Sequence, residues 1–441
     1  MNAKKNDFDL NKLNKDRKLI SDLLKPKKSS GKVLAAGWVN NTRQLGKIKF
    51  MILKDSSGMI QVTAVEGKVS KKVFDEIDSI TRESVVCVTG SLVESKKAPG
   101  GKEIIPDEIF VLNKSEEPLI DVSDFSKTEL PKRLDYRFLD LHRRKVQAVF
   151  KIKSEVARAF REFFYSKDFK EVFLPSVISS SSEGGTELFE LSYFEKKAYL
   201  AQSPQLYKQM VAASPMEKIF TITPVWRAEK HNTVRHLNES RQMDIEVAFA
   251  NQEEIMNYLG ECVQYIIEEV IKKCKDDLEN LEIKLKVPKI KYLSYEETVK
   301  LLKIKDGEDL SPEDERKLNE KFPDTIVFVH SWPSAIKPFY IMPKDENEKA
   351  KLSEGFDAIY KGIEISSGGQ RIHIPELLEK MLKKKGLNPK HFKGYIDSFR
   401  FGAPPHAGWS IGLERLTMLL CNLGNIREAV LFPRDRDKLT P

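Results

Sequence analysis

The sequence predicts an α+β protein in which a small all-β domain precedes a larger domain built on an antiparallel sheet flanked by helices. Three observations predict it. Between residue 32 and about residue 114, short apolar runs such as "VLAAGWV", "IKFMILKD" and "MIQVTAV" are separated by the turn signals "DSSG" and "APGG". From residue 141 onward the chain opens with "RRKVQAVFKIKSEVARAFREFFYSK", whose apolar positions recur at helical spacing. Beyond it, strands such as "KIFTITPVWRAE", "RQMDIEVAFA", "DTIVFVHSWP", "KPFYIMP" and "FDAIYKGIEISSGG" outnumber intervening helices in places, which favours antiparallel over doubly wound parallel pairing.

Each stretch follows in order. Residues 1–31 form a basic N-terminal extension, with nine Lys/Arg against four Asp in the first 30 positions. Such an arm attracts nucleic acid by neutralising phosphates, and a solvated lysine-rich terminus without function fits the charge equally well. Residues 32–114 read as five strands, which fits an OB-type barrel. That architecture binds single-stranded nucleic acid on one face, with Arg43, Phe50 and Gln61 as candidates for it. Residues 115–140 are polar and proline-punctuated, as expected of a hinge. Residues 141–441 form the larger domain.

Composition narrows the class. At 441 residues, 40% hydrophobic and 32% charged, the chain is globular and neither disordered nor fibrous. Its four cysteines are scattered, which argues against a zinc ribbon, a C-x-x-C redox site and a disulfide framework, and predicts buried thiols in a cytoplasmic protein. No apolar run has membrane-spanning length, and the N-terminus lacks the apolar core of a signal peptide.

Three segments of the larger domain concentrate reactive residue types. In "WRAEKHNTVRHLNESRQMDIEVAF" two strands flank a loop carrying Arg227, Glu229, His231, Arg235 and His236. Guanidinium forks bind phosphate oxygens bidentately, so this loop suits a polyphosphate, although it could equally be a solvated tip. In "GIEISSGGQR" alternation places Glu364 and Ser366 on one strand face, Gly368 and Gly369 allow close backbone approach to a ligand, and Arg371 follows. An acidic residue beside a hydroxyl suits Mg2+. In "PPHAGWSIGLERLTMLL" small residues lead into a helix carrying Arg415, with neither a Walker loop nor a Rossmann fingerprint. A fourth stretch, "LAQSPQLYKQMVAA", reads as a helix with Ser203 as N-cap and Pro204 first, which leaves Lys208 near the positive end of a helix dipole. A surface lysine is the plain reading there.

Together and in this order the segments resemble the class II aminoacyl-tRNA synthetases. "WRAE" resembles their motif 2, "GWSIGLER" their motif 3, and "FKEVFLPSV" around Pro175 their motif 1, whose proline lies at a homodimer interface. With an N-terminal barrel, the resemblance implies class IIb, the aspartate, asparagine and lysine group. "SSEGGTELF", "AQSPQLYKQ", "ISSGGQRIH" and "REAVLFPRDRDKLTP" resemble the archaeal and eukaryotic aspartyl type. Only 188 positions separate Arg227 from Arg415, which leaves no room for the large domain that bacterial enzymes insert there.

The resemblance implies that L-aspartate and ATP give aspartyl-adenylate, which then esterifies the terminal adenosine of tRNA(Asp). Arg227 and Arg415 are the implied catalytic residues. Aspartate is implied to meet Glu183, Gln205, Lys208, Arg227, Ser367 and Arg371. ATP is implied to meet Arg227, Glu229, Arg235, His236, Leu237, Glu364, Gly412, Leu413, Glu414 and Arg415, with Mg2+ on Glu364 and Ser367 and the anticodon on Arg43, Phe50 and Gln61. Ser410 departs from the glycine common at its place in motif 3. Asparaginyl enzymes generally lack the lysine of "QLYK", and non-catalytic paralogues typically lose motif arginines, which this chain keeps. Archaeal enzymes restricted to tRNA(Asp) tend to carry Trp and Lys where this chain has Asn40 and Pro99, so a relaxed enzyme that also aspartylates tRNA(Asn), for later amidation by a partner, is expected.

Overall fold

The computed structural model describes residues 9–25, 31–179, 187–230 and 233–441. Glu183 and His231 lie outside the described residues. The chain divides into two compact units, residues 1–132 and 133–441.

The first unit is a closed barrel of β1 (Gly31–Leu45), β2 (Ile48–Lys54), β3 (Met59–Val65), β4 (Val85–Glu94) and β5 (Lys102–Asn113), in the order β1-β2-β3-β5-β4. Alternation along each strand sorts the side chains. Met51, Leu53, Ile60, Val62 and Ile104 fill the barrel, while Phe50, Gln61 and Thr63 face outward. The helix Lys71–Ser79, capped by the Ser70 hydroxyl, adds Val73 and Ile77 to the core.

The basic extension is corrected in part. Its described residues are not a free arm, because Ile20 and Leu23 of the short helix Ile20–Leu24 are buried in the barrel core. Polar contacts fix it too: the Ile20 amide donates to Asp55 Oδ2 at 3.0 Å, and Lys102 Nζ donates to the carbonyls of Leu23 at 3.2 Å and Lys25 at 2.7 Å. Charge counting missed two apolar residues at the spacing that one helical face requires.

The second unit contains β6 (Lys170–Glu171), β7 (Val177–Ile178), β8 (Glu190–Tyr193), β9 (Lys196–Leu200), β10 (Lys218–Trp226), β11 (Glu239–Ala248), β12 (Lys289–Ser294), β13 (Thr325–His330), β14 (Gly355–Tyr360), β15 (Ile363–Gln370) and β16 (His406–Gly412). Its main sheet runs β12-β13-β14-β15-β16-β11-β10-β6, antiparallel from β13 to β10 with a parallel strand at each edge. The helices Arg144–Tyr165 and Gln252–Lys273 cover one face. Between them and the sheet lies an aromatic core in which Phe160, Phe164, Phe220 and Trp409 pack edge to face or tilted. The opposite face carries the cleft described below.

Two expected elements differ. "KPFYIMP" is not a regular strand; it meets its neighbours through the isolated bridges Ile341 to Arg371 and Pro343 to Ser353, and buries Phe339 in a satellite core. The last part of the expected hinge is rigid structure of the second unit. Arg137 is fully buried, paired with Asp140 at 2.5 Å, and it donates to the carbonyls of Glu428, Val430 and Leu431. Polar composition there reflects a buried ion network, not solvent exposure.

Candidate active site

The cleft lies on the open face of the sheet and has a volume of about 230 Å3. Its floor is set by strand register. Asp357 of β14 pairs with Ser367 of β15, Ser367 with Ser410 of β16, and Ser410 with Asp244 of β11, so these polar side chains form one row across the sheet. A bulge in β15 between Glu364 and Ser366 shifts the alternation by one. The expected pairing of Glu364 with Ser366 is therefore corrected: the buried Ser366 stands in register with Ala358 and Ile411 of the helix-covered core, and Ser367 takes its place in the polar row.

The glycines of this strand serve packing. A Cβ on Gly369 would lie 2.4 Å from the Glu354 carbonyl oxygen, and one on Gly368 would lie 2.6 Å from that of Gly408. Close backbone approach is present, but toward neighbouring strands.

The loop between β10 and β11 is closed at its base by Asn238. Its Nδ2 donates to the carbonyls of Arg227 at 2.6 Å and Glu229 at 3.0 Å, and its own carbonyl accepts from the Arg227 amide at 2.9 Å. This places Arg227, Glu229, Arg235, His236 and Leu237 along the cleft. Thr233 and His236 are bonded at 2.6 Å, and Arg427 holds the Thr233 carbonyl, which ties the loop to the C-terminal segment. On the opposite side Arg415 projects from the helix Leu413–Leu420 and donates to the Glu364 carbonyl at 2.8 Å.

Of the remaining expected residues, Gln205, Glu364, Ser367, Arg371, Gly412, Glu414 and Arg415 also line the cleft. Gln205 Nε2 is buried without a partner among the described residues, an unspent donor. Glu414 is engaged elsewhere, bonded to Lys153 Nζ at 2.7 Å and to the Arg241 amide at 2.8 Å. The Leu413 side chain does not line the cleft and packs in the core with the helices beneath the sheet.

Lys208 is neither a surface lysine nor part of the cleft wall. The helix Gln205–Ala212 begins after Pro204, which takes the N-cap position expected for Ser203, while the Ser203 hydroxyl accepts from the Gln205 amide at 3.1 Å. Lys208, 1% exposed, points inward and donates to Asp244 Oδ2 at 2.9 Å and to the carbonyls of Ile245 at 3.2 Å and Trp409 at 3.1 Å. Glu246 Oε2 stands 3.3 Å away. The three donors of its ammonium are all engaged within the protein, beside the cleft residue Asp244.

Arg371 occupies the wall itself. Its Nε and Nη2 meet the two Glu246 oxygens at 2.8 and 3.3 Å, and its guanidinium lies 5.6 Å from the Tyr340 ring centroid. Nη1 has no partner among the described residues. Burial works against both charges, yet Arg371 and then Lys208 hold the Glu246 carboxyl below its usual range, and Glu246 in turn raises Arg371. The pair stays ionised. Burial and then the Asp357 carboxylate push Glu364 upward. Burial and then Glu364 push Glu315, on the helix Pro312–Lys321, up to about 7.

The sequence gives no role to Asn238, Tyr340 or Glu315, and places Asp244 and Glu246 on the returning strand without assigning them one. Asp244 and Glu246 could have been found, since two acids in the apolar "RQMDIEVAF" demand buried partners. Glu315, in the polar "SPEDERKLNE", gives no such signal.

In the first unit, Arg43 stands opposite Phe50 across β1 and β2, with its guanidinium 5.3 Å from the ring centroid. Gln61 lies two residues along β3 on the same outer face and donates to Glu103 at 2.8 Å. The three candidates share one face. Asn40 is the bulged residue of β1, and Pro99 opens an exposed turn before β5.

A family model described as tRNA synthetases class II (D, K and N) matches residues 129–436. The chain belongs to this family. Residues 33–112 match a second model, the OB-fold nucleic acid binding domain. The synthetase is 44% identical over 440 residues to the aspartate--tRNA(Asp/Asn) ligase of Methanocaldococcus jannaschii, covering 98% of this chain and all of that one. It is 45% identical to the aspartate--tRNA(Asp) ligase of Pyrococcus horikoshii, covering 93% and 96%. Among solved structures it resembles the asparaginyl-tRNA synthetase of Pyrococcus horikoshii complexed with asparaginyl-adenylate, at 32% identity and a TM-score of 0.89 over 95% of this chain and 98% of that one. The synthetase is thus a tRNA ligase of the aspartate/asparagine group that works through an aminoacyl-adenylate. Among the described residues no helix is long and apolar enough to cross a membrane.

Proposed function

We propose that this synthetase activates L-aspartate with ATP and attaches it to tRNA(Asp) and tRNA(Asn). Arg371 carries the choice of amino acid. Half of its guanidinium is committed to Glu246, and the unengaged Nη1 belongs to a residue that lines the cleft, which suits an anionic side chain. A neutral amide would offer that donor no charge.

The α-carboxylate of aspartate attacks the α-phosphorus, and pyrophosphate leaves. The attacking group is ionised at neutral pH and needs no general base, so the chain's task is alignment and charge stabilisation. Arg227 would bridge the reacting carboxylate and the α-phosphate, Glu229 would bind the adenine amino group, and Arg235 and Arg415 would hold the β- and γ-phosphates. In the second step the terminal hydroxyl of the tRNA attacks the adenylate carbonyl and releases AMP. The adenylate phosphate accepts the proton there.

Glu364 and Ser367 would hold Mg2+. The donor set fits: the Glu364 carboxylate takes no hydrogen bond or ion pair among the described residues, and its neighbour Asp357 repels it, a repulsion a divalent cation relieves. Among the described residues no cluster of three or more acidic, His or Cys side chains forms a cage, which suits an ion that shares its coordination with phosphates. Bound there, Mg2+ would neutralise phosphate charge.

Overall likeness does not choose between tRNAs, since relatives named for one and for both are 45% and 44% identical. Asn40 and Pro99 support the relaxed reading. A homodimer is supported by the segment after the edge strand β6, where Phe173 is 87% exposed and Pro175 is exposed. Four buried cysteine thiols support a reducing, cytoplasmic setting.

ATP–pyrophosphate exchange with aspartate and with asparagine tests the amino acid, and charging of purified tRNA(Asn) tests the tRNA. Exchange with asparagine alone would overturn the first assignment, and uncharged tRNA(Asn) the second.

A further inference from the structure

The helix Pro312–Lys321 lies between β12 and β13 in the chain and belongs to none of the segments assigned to the reaction. Its start is well fixed, because Ser311 and Asp314 form a reciprocal capping box. The helix packs on the β14–β15 hairpin. At the turn of that hairpin Gly362 has a φ of +73°, and a Cβ there would lie 3.2 Å from Arg316 Cα, so the turn and the helix meet backbone to backbone. This contact delivers Glu315, whose side chain is 14% exposed, to the edge of the cleft. Its Oε2 lies 3.6 Å from Arg235 Nη1. Arg415 and Glu364 are the other charged groups that act on it.

Arg235 belongs to a loop, and a long side chain on a loop loses rotamer freedom when it engages a ligand. A fixed carboxylate at its flank removes part of that loss beforehand. We propose that Glu315 is a positioning residue of adenylate formation, which holds Arg235 at the phosphate end of the cleft before ATP arrives and does not itself touch the nucleotide. This rests on the assignment of Arg235 to the β- and γ-phosphates made above. The carboxylate also opposes the triphosphate by charge, so its contribution depends wholly on Arg235.

That dependence gives the test. In ATP–pyrophosphate exchange, Glu315→Ala should raise the KM for ATP about five- to tenfold, a coupling of ordinary size for contacting charged residues, and leave the KM for aspartate unchanged. Glu315→Gln, nearly isosteric and still an acceptor for Arg235, should recover part of the loss and serves if the alanine variant folds poorly. In an Arg235→Ala background, Glu315→Gln should have no further effect on the KM for ATP. Equal shifts in both KM values, full additivity with Arg235→Ala, or a fall in the KM for ATP would each overturn the proposal. A wild-type protein that supports no exchange with either amino acid would instead sink the functional assignment on which it rests.

Discussion

Lys208 Nζ and Asp244 Oδ2 lie 2.9 Å apart with both side chains sealed from solvent, at the end of the strand row that floors the cleft. Asp244 Oδ1 takes the Ser410 hydroxyl at 2.8 Å, so the serine that departs from the usual glycine of its motif is absorbed into this network. Lys208 balances Asp244 and Glu246 together, and through Glu246 it supports Arg371. Lys208→Met should therefore cost stability as well as activity. Loss of one partner of a buried pair costs about 3 to 5 kcal/mol, because the remaining carboxylate is left uncompensated. Urea unfolding measures it, and a variant within about 1 kcal/mol of wild type, no more than an ordinary surface substitution costs, would contradict the network.

Arg227 and Arg415 should behave in the opposite way. The Arg227 side chain is 43% exposed and its nearest carboxylate, on Glu229, is 4.0 Å away, so little of the fold depends on it. Arg227→Ala and Arg415→Ala should each lower exchange by roughly 10²- to 10³-fold, the usual effect of removing a preorganised charge-stabilising donor. Their unfolding midpoints should stay near that of wild type. A rate loss matched by lost stability would point to misfolding.

Glu364 separates function from stability more sharply. Burial and the Asp357 carboxylate both disfavour its charge, so Glu364→Gln should leave the metal-free protein at least as stable as wild type at pH 8. The same variant should need more Mg2+ for half-maximal exchange. A titration of exchange rate against Mg2+, beside thermal melts in chelator, checks both. An unchanged Mg2+ requirement would remove Glu364 from the metal site.

What the sequence disclosed follows from where each signal resides. Barrel strands and the amphipathic helix Arg144–Tyr165 were legible because period and turn residues are local properties. That Arg227, Arg235 and Arg415 line one cleft was legible because they sit in segments whose order resembles the synthetase motifs. The place of Lys208 was not, since its partners lie 36 to 201 positions away and meet it only through the register of β11 and β16. Ser366 was misassigned for a related reason: a single bulge inverts the alternation, and no residue in "EISSGG" encodes it unambiguously.

His406 supplies a pH test of the same buried network. It is fully buried, bonded through Nδ1 to the Pro404 carbonyl at 2.9 Å and facing Gln209 Oε1 at 3.3 Å. Burial pushes its pKa down to about 4, with Glu246 opposing and Arg371 and His373 assisting. The folded state thus binds fewer protons than the unfolded one between pH 6.5 and 4. The stability that neutral His406 allows is complete above 6.5 and is lost as pH falls toward 4, at about 1.4 kcal/mol per unit. Glu315 has the opposite sign, because its raised pKa of about 7 adds stability at low pH that is lost as pH rises through that value. Wild-type stability alone therefore mixes the two. The difference between wild type and His406→Asn isolates the histidine, and wild type should lose about 3 kcal/mol relative to the variant between pH 7 and 4. Parallel stability curves over that range would show that His406 protonates freely in the fold, and the dry network drawn around Glu246 and Arg371 would then be wrong.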